Sequence, residues 1–219
     1  MVQMSKGYLY PDRRAAGKKL AENIKPEING NAIVLSLPRG GAVVGNEVAK
    51  LLNAEHDLVI SRKIGAPYNP EVAIAAVNQN GELFKNEAVI EALAVTDGYL
   101  ESQTKLQLDE IKRQLREFRG EKPFPNLFQK TVILVDDGLA TGFTMEAAVE
   151  FVRSFKPSRI IVAVPVGSSE AIAKLTPQVD LVVCPLIPDK FWAVGQFYRE
   201  FLQVSDAEVK SLFKDKEKP

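Results

Sequence analysis

Residues 131–150, with the sequence TVILVDDGLATGFTMEAAVE, decide the fold of this chain. The run 132–135 is apolar at every position, which is typical of a strand covered on both faces within a parallel sheet. Two carboxylates, Asp136 and Asp137, follow directly, and a loop of small residues then leads into a helical pattern. The stretch therefore predicts a strand and a helix of an α/β fold, joined by an acidic loop.

The loop after the acidic pair predicts an anion-binding site. Gly138, Thr141, Gly142 and Thr144 precede or open the predicted helix, where the backbone N–H groups of a helix N-terminus can bind phosphate. A plain P-loop would have Gly-Lys-Ser/Thr and no acidic pair. Two acids beside an anion site instead favour a ligand with both hydroxyls and a phosphate, such as ribose 5-phosphate.

This combination of apolar strand, two acids, small loop and Thr-Gly-x-Thr resembles the signature of type I phosphoribosyltransferases, which bind phosphoribosyl pyrophosphate (PRPP). The resemblance implies that Asp136 and Asp137 hold the ribose 2- and 3-hydroxyls and, mainly through PRPP and water, a Mg²⁺ cofactor. The implied 5-phosphate site consists of Gly138, Leu139, Ala140, Thr141, Gly142, Phe143 and Thr144. An alternative is a domain whose acids bind Mg²⁺ for another purpose, such as a receiver, but receivers carry the acidic pair near their start.

A second loop after a strand predicts a second phosphate site. The apolar strand 32–37 ends in Pro38-Arg39-Gly40-Gly41, and a helix then runs to Leu52. Two glycines let the backbone approach a ligand closely, and the new helix supplies N–H groups for an anion. A simple strand-to-helix turn would explain the glycines but not the arginine. The segment resembles the pyrophosphate loop of the same family, which implies that these four residues bind pyrophosphate.

The segment 62–71, RKIGAPYNPE, is predicted to be a loop that follows the strand 57–61. It has one glycine and two prolines flanked by charge, and it leaves the carboxyl end of a strand, where open α/β sheets bind ligands. It resembles the mobile loop that closes over PRPP in orotate and adenine phosphoribosyltransferases. The resemblance implies that Arg62 and Lys63 close over the site, and Glu71 is a candidate acceptor for the base proton. The alternative is an exposed basic turn.

The segment 188–195, PDKFWAVG, is the candidate base site. Phosphoribosyltransferases for 6-oxopurines have a similar Asp-Lys-Phe segment whose aromatic ring stacks on the base, which implies base contact by Phe191 or Trp192. Core packing is the alternative, because such residues are more often buried than ligand-binding. In those enzymes an acid occupies the loop position held here by Ala140, so its role in handling the base proton is vacant in this chain.

The order of predicted strands and helices favours a type I phosphoribosyltransferase-like, doubly wound, mainly parallel sheet with helices on both faces. The 219 residues are expected to form one domain, with a hairpin around 78–81, an inserted helical segment at about 86–120, and a small hood from about 1–25 and 185–213. Several basic side chains are predicted to lie on solvated helix faces: Arg13, Arg14, Lys112, Arg113, Arg116 and Arg119. The apolar stripe of the inserted segment could also meet a second subunit in a homodimer.

Composition excludes several classes of function. The 28 basic and 28 acidic residues cancel, so bulk charge gives no argument for nucleic acid or membrane partners. One cysteine and one histidine exclude an internal disulfide and a His/Cys metal cage. Cys184 reads as a buried structural thiol and His56 as a surface or strand-edge residue. No long apolar run or signal-peptide pattern occurs, so a cytoplasmic protein is expected.

These observations together predict an enzyme that transfers the ribose 5-phosphate of PRPP to a nitrogen base, with purine-like bases favoured, and releases pyrophosphate. The alternative is a PRPP- or nucleotide-sensing regulatory module that binds without turnover. Known regulators of that kind append a DNA-binding region, for which neither the length nor the charge of this chain gives support.

Overall fold

The computed structural model describes residues 9–28 and 30–213, apart from the side chain of Glu71. The helices and strands are, in chain order, α1 (Arg13–Ile24), β1 (Ala32–Ser36), α2 (Gly40–Leu52), β2 (Glu55–Leu58), β3 (Ser61–Ala66), β4 (Asn69–Asn78), β5 (Leu83–Lys85), α3 (Glu87–Ala92), α4 (Asp97–Arg119), β6 (Thr131–Val135), α5 (Phe143–Arg153), β7 (Arg159–Ala163), α6 (Ser169–Leu175), β8 (Leu181–Val183) and α7 (Asp206–Phe213).

Five strands form a parallel sheet in the order β2-β1-β6-β7-β8. Helices cover both of its faces, which is the predicted doubly wound arrangement. In β6, Val132 and Leu134 pack with α5 and α6, whereas Ile133 and Val135 pack with α1 and α2. The strand is apolar at every one of these positions because neither of its faces meets water.

Three further strands form a separate antiparallel sheet in the order β3-β4-β5. The hairpin between β4 and β5 is confirmed, but the prediction of a loop at 62–71 is wrong. Most of that segment is the hairpin of β3 and β4, with Pro67 and Tyr68 at its tip. Gly65 signals a close backbone approach rather than a loop, since a Cβ there would lie 2.4 Å from the carbonyl oxygen of Pro70.

The inserted segment is helical, as predicted, and forms α3 and α4. The apolar stripe of α4 packs against Leu58, Ile60 and Val77 and against α7. Arg119 does not lie on a solvated face as expected. Its guanidinium donates to both carboxylate oxygens of Asp57, at 2.7 and 2.9 Å, so it fixes the end of α4 to β2.

Residues from the two ends of the chain pack together at the carboxyl edge of the large sheet. Tyr10 pairs with Tyr198 in a parallel bridge, and its hydroxyl donates to the carbonyl of Pro165 at 3.0 Å. The ranges 1–25 and 185–213 as a hood, and 1–219 as one domain, stay predictions; residues 1–8, 29 and 214–219 lie outside the described part. No helix among the described residues has the length and apolarity to cross a membrane.

The single histidine and the single cysteine of the sequence, His56 and Cys184, both lie in largely buried positions. His56 is on the edge strand β2, as predicted, and is covered there by Phe213, with ring centroids 4.6 Å apart. Its Nε2 lies 2.8 Å from Oγ of Ser36. Burial, aided by the charge of Lys50, lowers the pKa of His56 to about 3. Burial raises the pKa of the Cys184 thiol to about 12, which fits a structural rather than a nucleophilic group.

Candidate functional site

The acidic pair lies where β6 ends, directly against the start of α2. A Cβ at Gly40 would lie 1.8 Å from Oδ2 of Asp137, and a Cβ at Gly41 would lie 2.8 Å from Cα of Asp136. Only glycines allow the loop after β1 to approach the carboxylates this closely. The structure therefore brings together the two loops that the sequence predicted separately as the ribose site and the pyrophosphate site.

Arg13 belongs to this site, and its prediction as a solvated residue is wrong. Its Nε lies 2.7 Å from Oδ2 of Asp137, and the two side chains are only 11% and 15% exposed. The same guanidinium donates to the carbonyl of Leu202 at 2.7 Å and lies 3.8 Å from the ring centroid of Phe201. Arg13 thus links the acidic pair to the C-terminal segment.

The sequence predicts the start of the helix that carries Arg13, but not the partner of its side chain. Asp12 is the N-cap of α1 and accepts a hydrogen bond from the N–H of Ala15 at 2.7 Å, so a helix start was readable at this point. Helical periodicity alone could not place Arg13 opposite a carboxylate 124 residues further along the chain. Tyr198 was missed for the same reason; its hydroxyl donates to the carbonyl of Asp137 at 2.5 Å.

Burial is the largest influence on the pKa of both acids in the pair. The pKa of Asp136 is raised well above its usual value, first by burial and then by the neighbouring charge of Asp137. Burial also raises the pKa of Asp137, while the guanidinium of Arg13 acts in the opposite direction. Ligand groups that donate hydrogen bonds or bring positive charge are therefore favoured here, because they stabilise the ionised form of both acids.

The predicted 5-phosphate loop is held rigidly by the next strand-to-helix connection. Leu139 exchanges backbone hydrogen bonds with Val166 and Ser168, both at 2.9 Å, and Oγ of Ser168 donates to the carbonyl of Ala140 at 2.7 Å. Gly142 has φ +80° and caps α5. The first helical hydrogen bond runs from Glu146 back to Gly142, so α5 does not use the preceding amides of its first turn.

Side chains of this loop divide into two groups. Ala140 and Thr141 are exposed and Thr144 is half-buried, so these residues can meet a ligand. Leu139 and Phe143 are buried and pack in apolar clusters. Leu139 and Phe143, both predicted to bind phosphate, can therefore contact an anion only through their backbone.

The predicted pyrophosphate loop combines backbone and charge at the start of α2. Arg39 is the N-cap residue of α2, and its peptide bond with Pro38 is cis. Nη1 of Arg39 lies 3.5 Å from Oδ1 of Asp206, the first residue of α7. The guanidinium of Arg39 is thus already paired with a carboxylate at the start of α7.

Two residues of the predicted mobile loop, Arg62 and Lys63, lie on different faces of the hairpin. Arg62 and Lys63 are neighbours in β3, and successive side chains of a strand point to opposite faces. Arg62 lies against α4, where its Nε donates to Oε1 of Gln107 at 2.6 Å. Lys63 shares the face of Ser61, whose hydroxyl donates to the carbonyl of Thr144 at 2.6 Å. Glu71 lies in β4 with its side chain outside the described part, so its role stays a prediction.

The predicted base segment lies above the 5-phosphate loop, since a Cβ at Gly138 would be 2.5 Å from a methyl carbon of Val194. Its two aromatics have different surroundings. Phe191 packs on Phe197, with ring centroids 5.4 Å apart, whereas Trp192 is 85% exposed. Gln196 fixes the segment by accepting hydrogen bonds from two backbone N–H groups and donating to a third residue's carbonyl. Of the two aromatics, Trp192 is the one that offers a free ring face.

Comparisons with known proteins find matches over most of this chain. A family model described as phosphoribosyl transferase domain matches residues 10–201. Two curated relatives from two strains of Mycobacterium tuberculosis, each named "Putative phosphoribosyl transferase", are 38% identical over 202 residues, which are 92% of this chain and 45% of the relative. This chain therefore spans less than half their length. The crystal structure of TT1426 from Thermus thermophilus is 41% identical, with a TM-score of 0.78 over 94% of this chain and 97% of that chain.

Proposed function

This chain belongs to the phosphoribosyl transferase domain family, and from that premise we propose that it transfers the ribose 5-phosphate of PRPP to a nitrogen base and releases pyrophosphate. One observation carries the proposal. Two helix N-termini, those of α2 and α5, flank one acidic pair, with Gly40 packed directly on Asp137. PRPP has the matching chemistry, because its two ribose hydroxyls separate a monophosphate from a pyrophosphate.

In this proposal, different residues of the site bind the ribose hydroxyls, the 5-phosphate and the pyrophosphate of PRPP. Asp136 and Asp137 accept hydrogen bonds from the ribose hydroxyls, and Arg13 keeps Asp137 charged and oriented. The amides of the first turn of α5 bind the 5-phosphate. Arg39 and the start of α2 bind the pyrophosphate, which leaves with the electrons of its bond to C1 as the base nitrogen bonds to that carbon. Charge developing on the leaving group is where such preorganised donors act most strongly.

The donor set fits a Mg²⁺ ion that arrives with PRPP. Asp136 and Asp137 supply two adjacent carboxylates, and Mg²⁺ prefers one or two carboxylates together with water and substrate phosphates. Among the described residues, no group of three or more His, Cys, Asp and Glu side chains is arranged to hold a metal. When bound, the ion would neutralise part of the pyrophosphate charge.

The acceptor in this proposal is a planar nitrogen base, and a purine-like base is favoured. The exposed ring of Trp192 can stack on such a base, an interaction worth about 1–3 kcal/mol without demanding one hydrogen-bond pattern. Phe191 is partly buried and packs against the apolar cluster that contains Phe197. Because Ala140 cannot accept the base proton, another group must do so, and Glu71 of β4 is the candidate if lid closure brings it within hydrogen-bond reach.

The test is pyrophosphate release from PRPP and Mg²⁺ in the presence of a panel of purine and pyrimidine bases, with a reaction lacking base as the control. We expect base-dependent release that is fastest with one purine-like base. Binding of PRPP without release for any base would favour a regulatory module instead. Absence of PRPP binding would contradict both functions.

A further inference from the structure

A cluster of charged residues lies beside the proposed pyrophosphate loop. It consists of three arginines and two acids: Arg39, Arg62, Arg113, Glu110 and Asp206. The carboxylate of Asp206 is shared by two guanidinium groups: Nη1 of Arg39 lies 3.5 Å from its Oδ1, and Nη2 of Arg113 lies 2.8 Å from its Oδ2. Arg113 also binds both oxygens of Glu110, each at 2.8 Å. Arg39 lies in the loop after β1, Arg113 and Glu110 lie in the inserted helix α4, and Asp206 starts α7. The third arginine, Arg62, lies in β3.

The cluster has more positive than negative groups. Arg39, Arg62 and Arg113 contribute three positive charges, against the two negative charges of Glu110 and Asp206. Burial lowers the pKa of Arg62, the charge of Glu110 opposes this effect, and the charges of Arg39 and Arg113 add to it. An added anion would therefore gain favourable charge interactions with the arginines.

The bracketing of Asp206 by two guanidinium groups is also how arginines bind a phosphate, since carboxylate and phosphate oxygens present similar acceptor pairs. One of the two arginines, Arg39, already belongs to the proposed pyrophosphate loop. We propose, on the basis of the function proposed above, that Asp206 is a built-in competitor of pyrophosphate and that Arg113 of the inserted helix is an additional pyrophosphate-binding residue.

The geometry permits this exchange of partners. The side chains of Arg39, Arg113 and Asp206 are 36%, 47% and 30% exposed, so an anion can reach all three. The contact of Asp206 with Arg39 is the longer of its two, so it is the more easily replaced. Asp206 itself is held in place by the fold, because Val209 of α7 is buried against Ile111 and Phe118 of α4.

A purely structural role for the same ion pairs makes a different prediction. If Asp206 only orients the arginines, then removing its charge and removing the charge of Arg113 should both weaken pyrophosphate binding. If Asp206 competes, the two changes act in opposite directions. The sign of the effect of Asp206→Asn therefore decides between the two roles.

The experiment is calorimetric titration of the full chain with pyrophosphate and, separately, with ribose 5-phosphate, each with Mg²⁺. Asp206→Asn should bind pyrophosphate about fivefold more tightly and Arg113→Gln about fivefold more weakly, as expected for partly exposed charge pairs. Two exposed residues of α4 provide matched controls, Asp109→Asn and Arg116→Gln, which should match wild type. Ribose 5-phosphate should bind all five proteins equally.

Weaker or unchanged pyrophosphate binding by Asp206→Asn would overturn the proposal, and so would unchanged binding by Arg113→Gln. Failure of the proposed function gives a separate result. It would appear in the release assay, either as PRPP binding without pyrophosphate release or as no PRPP binding, while opposite shifts measured with pyrophosphate alone would still support the competitor role. If wild type binds neither pyrophosphate nor PRPP, both proposals are wrong.

Discussion

Nε of Arg13 lies 2.7 Å from Oδ2 of Asp137, which joins the first helix of the chain to the carboxylate at the end of the central strand β6. Because both side chains are largely buried, removing either one would leave the other as a buried charge without its ion-pair partner. The ion pair therefore affects both the stability of the fold and the charge of the candidate site.

Arg13→Gln should lower the free energy of unfolding by about 2 kcal/mol, since it leaves a largely buried carboxylate without its ion-pair partner. It should also weaken PRPP binding, because the pKa of Asp137 rises further when Arg13 no longer opposes the effect of burial. Urea denaturation and PRPP titration measure the two effects. Arg14→Gln is the matched control: Arg14 is 51% exposed and pairs with Glu47 at 3.2 Å, so its loss should cost less than about 1 kcal/mol.

Stability should fall in mild acid because of His56. Its pKa is lowered from 6.5 to about 3 in the folded protein, so the unfolded chain binds the proton first as the pH falls. The stabilisation is complete above about pH 6.5 and is lost as the pH falls from there towards 3. Between about pH 7.5 and pH 5.0 the loss from this group should be about 2 kcal/mol.

Urea denaturation of wild type and His56→Gln at both pH values isolates this effect. Other groups contribute equally to the two proteins, so the variant should lose about 2 kcal/mol less than wild type over the same interval. Equal losses in the two proteins would show that burial does not keep His56 neutral in the folded protein.

Alanine substitutions of Trp192 and Phe191 should differ in their effects on the KM for the base and on stability. Trp192→Ala should raise the KM for the base by roughly tenfold, within the range for loss of base stacking, and should leave stability unchanged because the ring is 85% exposed. Phe191→Ala should cost about 2 kcal/mol of stability through lost packing on Phe197. Unchanged steady-state kinetics in Trp192→Ala would remove this residue from the base site.

Within the β3–β4 hairpin, only the tip should be open to proteases. The hairpin base is held by buried Ile64 and Ile74 and by a hydrogen bond from the hydroxyl of Tyr99 to the carbonyl of Gly65 at 3.0 Å. Tyr68 at the tip is fully exposed, so limited chymotrypsin digestion should cut after it first. PRPP with Mg²⁺ should slow this cut if the hairpin closes over the site; an equal rate with saturating ligand would contradict a lid role.

The central strand and its two flanking loops could be predicted from the sequence because their signals are local. The apolar run of β6 indicates a strand buried on both faces, and the glycines of 38–41 and 138–142 indicate tight loops before a helix. The antiparallel hairpin was missed because Gly65 and the prolines around it look like loop residues, although Gly65 serves a close strand crossing. Local signals thus located the framework of the site.

Long-range charge pairs could not be predicted in the same way. Arg13, Arg113 and Arg119 each lie on a helix face that periodicity assigns to solvent, and each contacts an acid far away in the chain. Their partners are determined by how the helices pack on the sheet, which a single sequence does not reveal. Arg13 influences the charge of the candidate acidic pair, whereas Arg119 fixes α4 to β2. The sequence therefore predicted the loops of the candidate site better than its electrostatics.

The most direct test of the account is PRPP titration, with Mg²⁺, of wild type and Asp136→Asn. Asp136 has no arginine partner among the contacts described above, and its Oδ1 accepts the backbone N–H of Asp137 at 2.8 Å, which asparagine can also do. The fold should therefore survive while the charge that binds ribose hydroxyls is lost. We predict PRPP binding to wild type and roughly thirty- to hundredfold weaker binding to the variant. Equal PRPP affinity of the two proteins would contradict the assignment of the acidic pair as the ribose site.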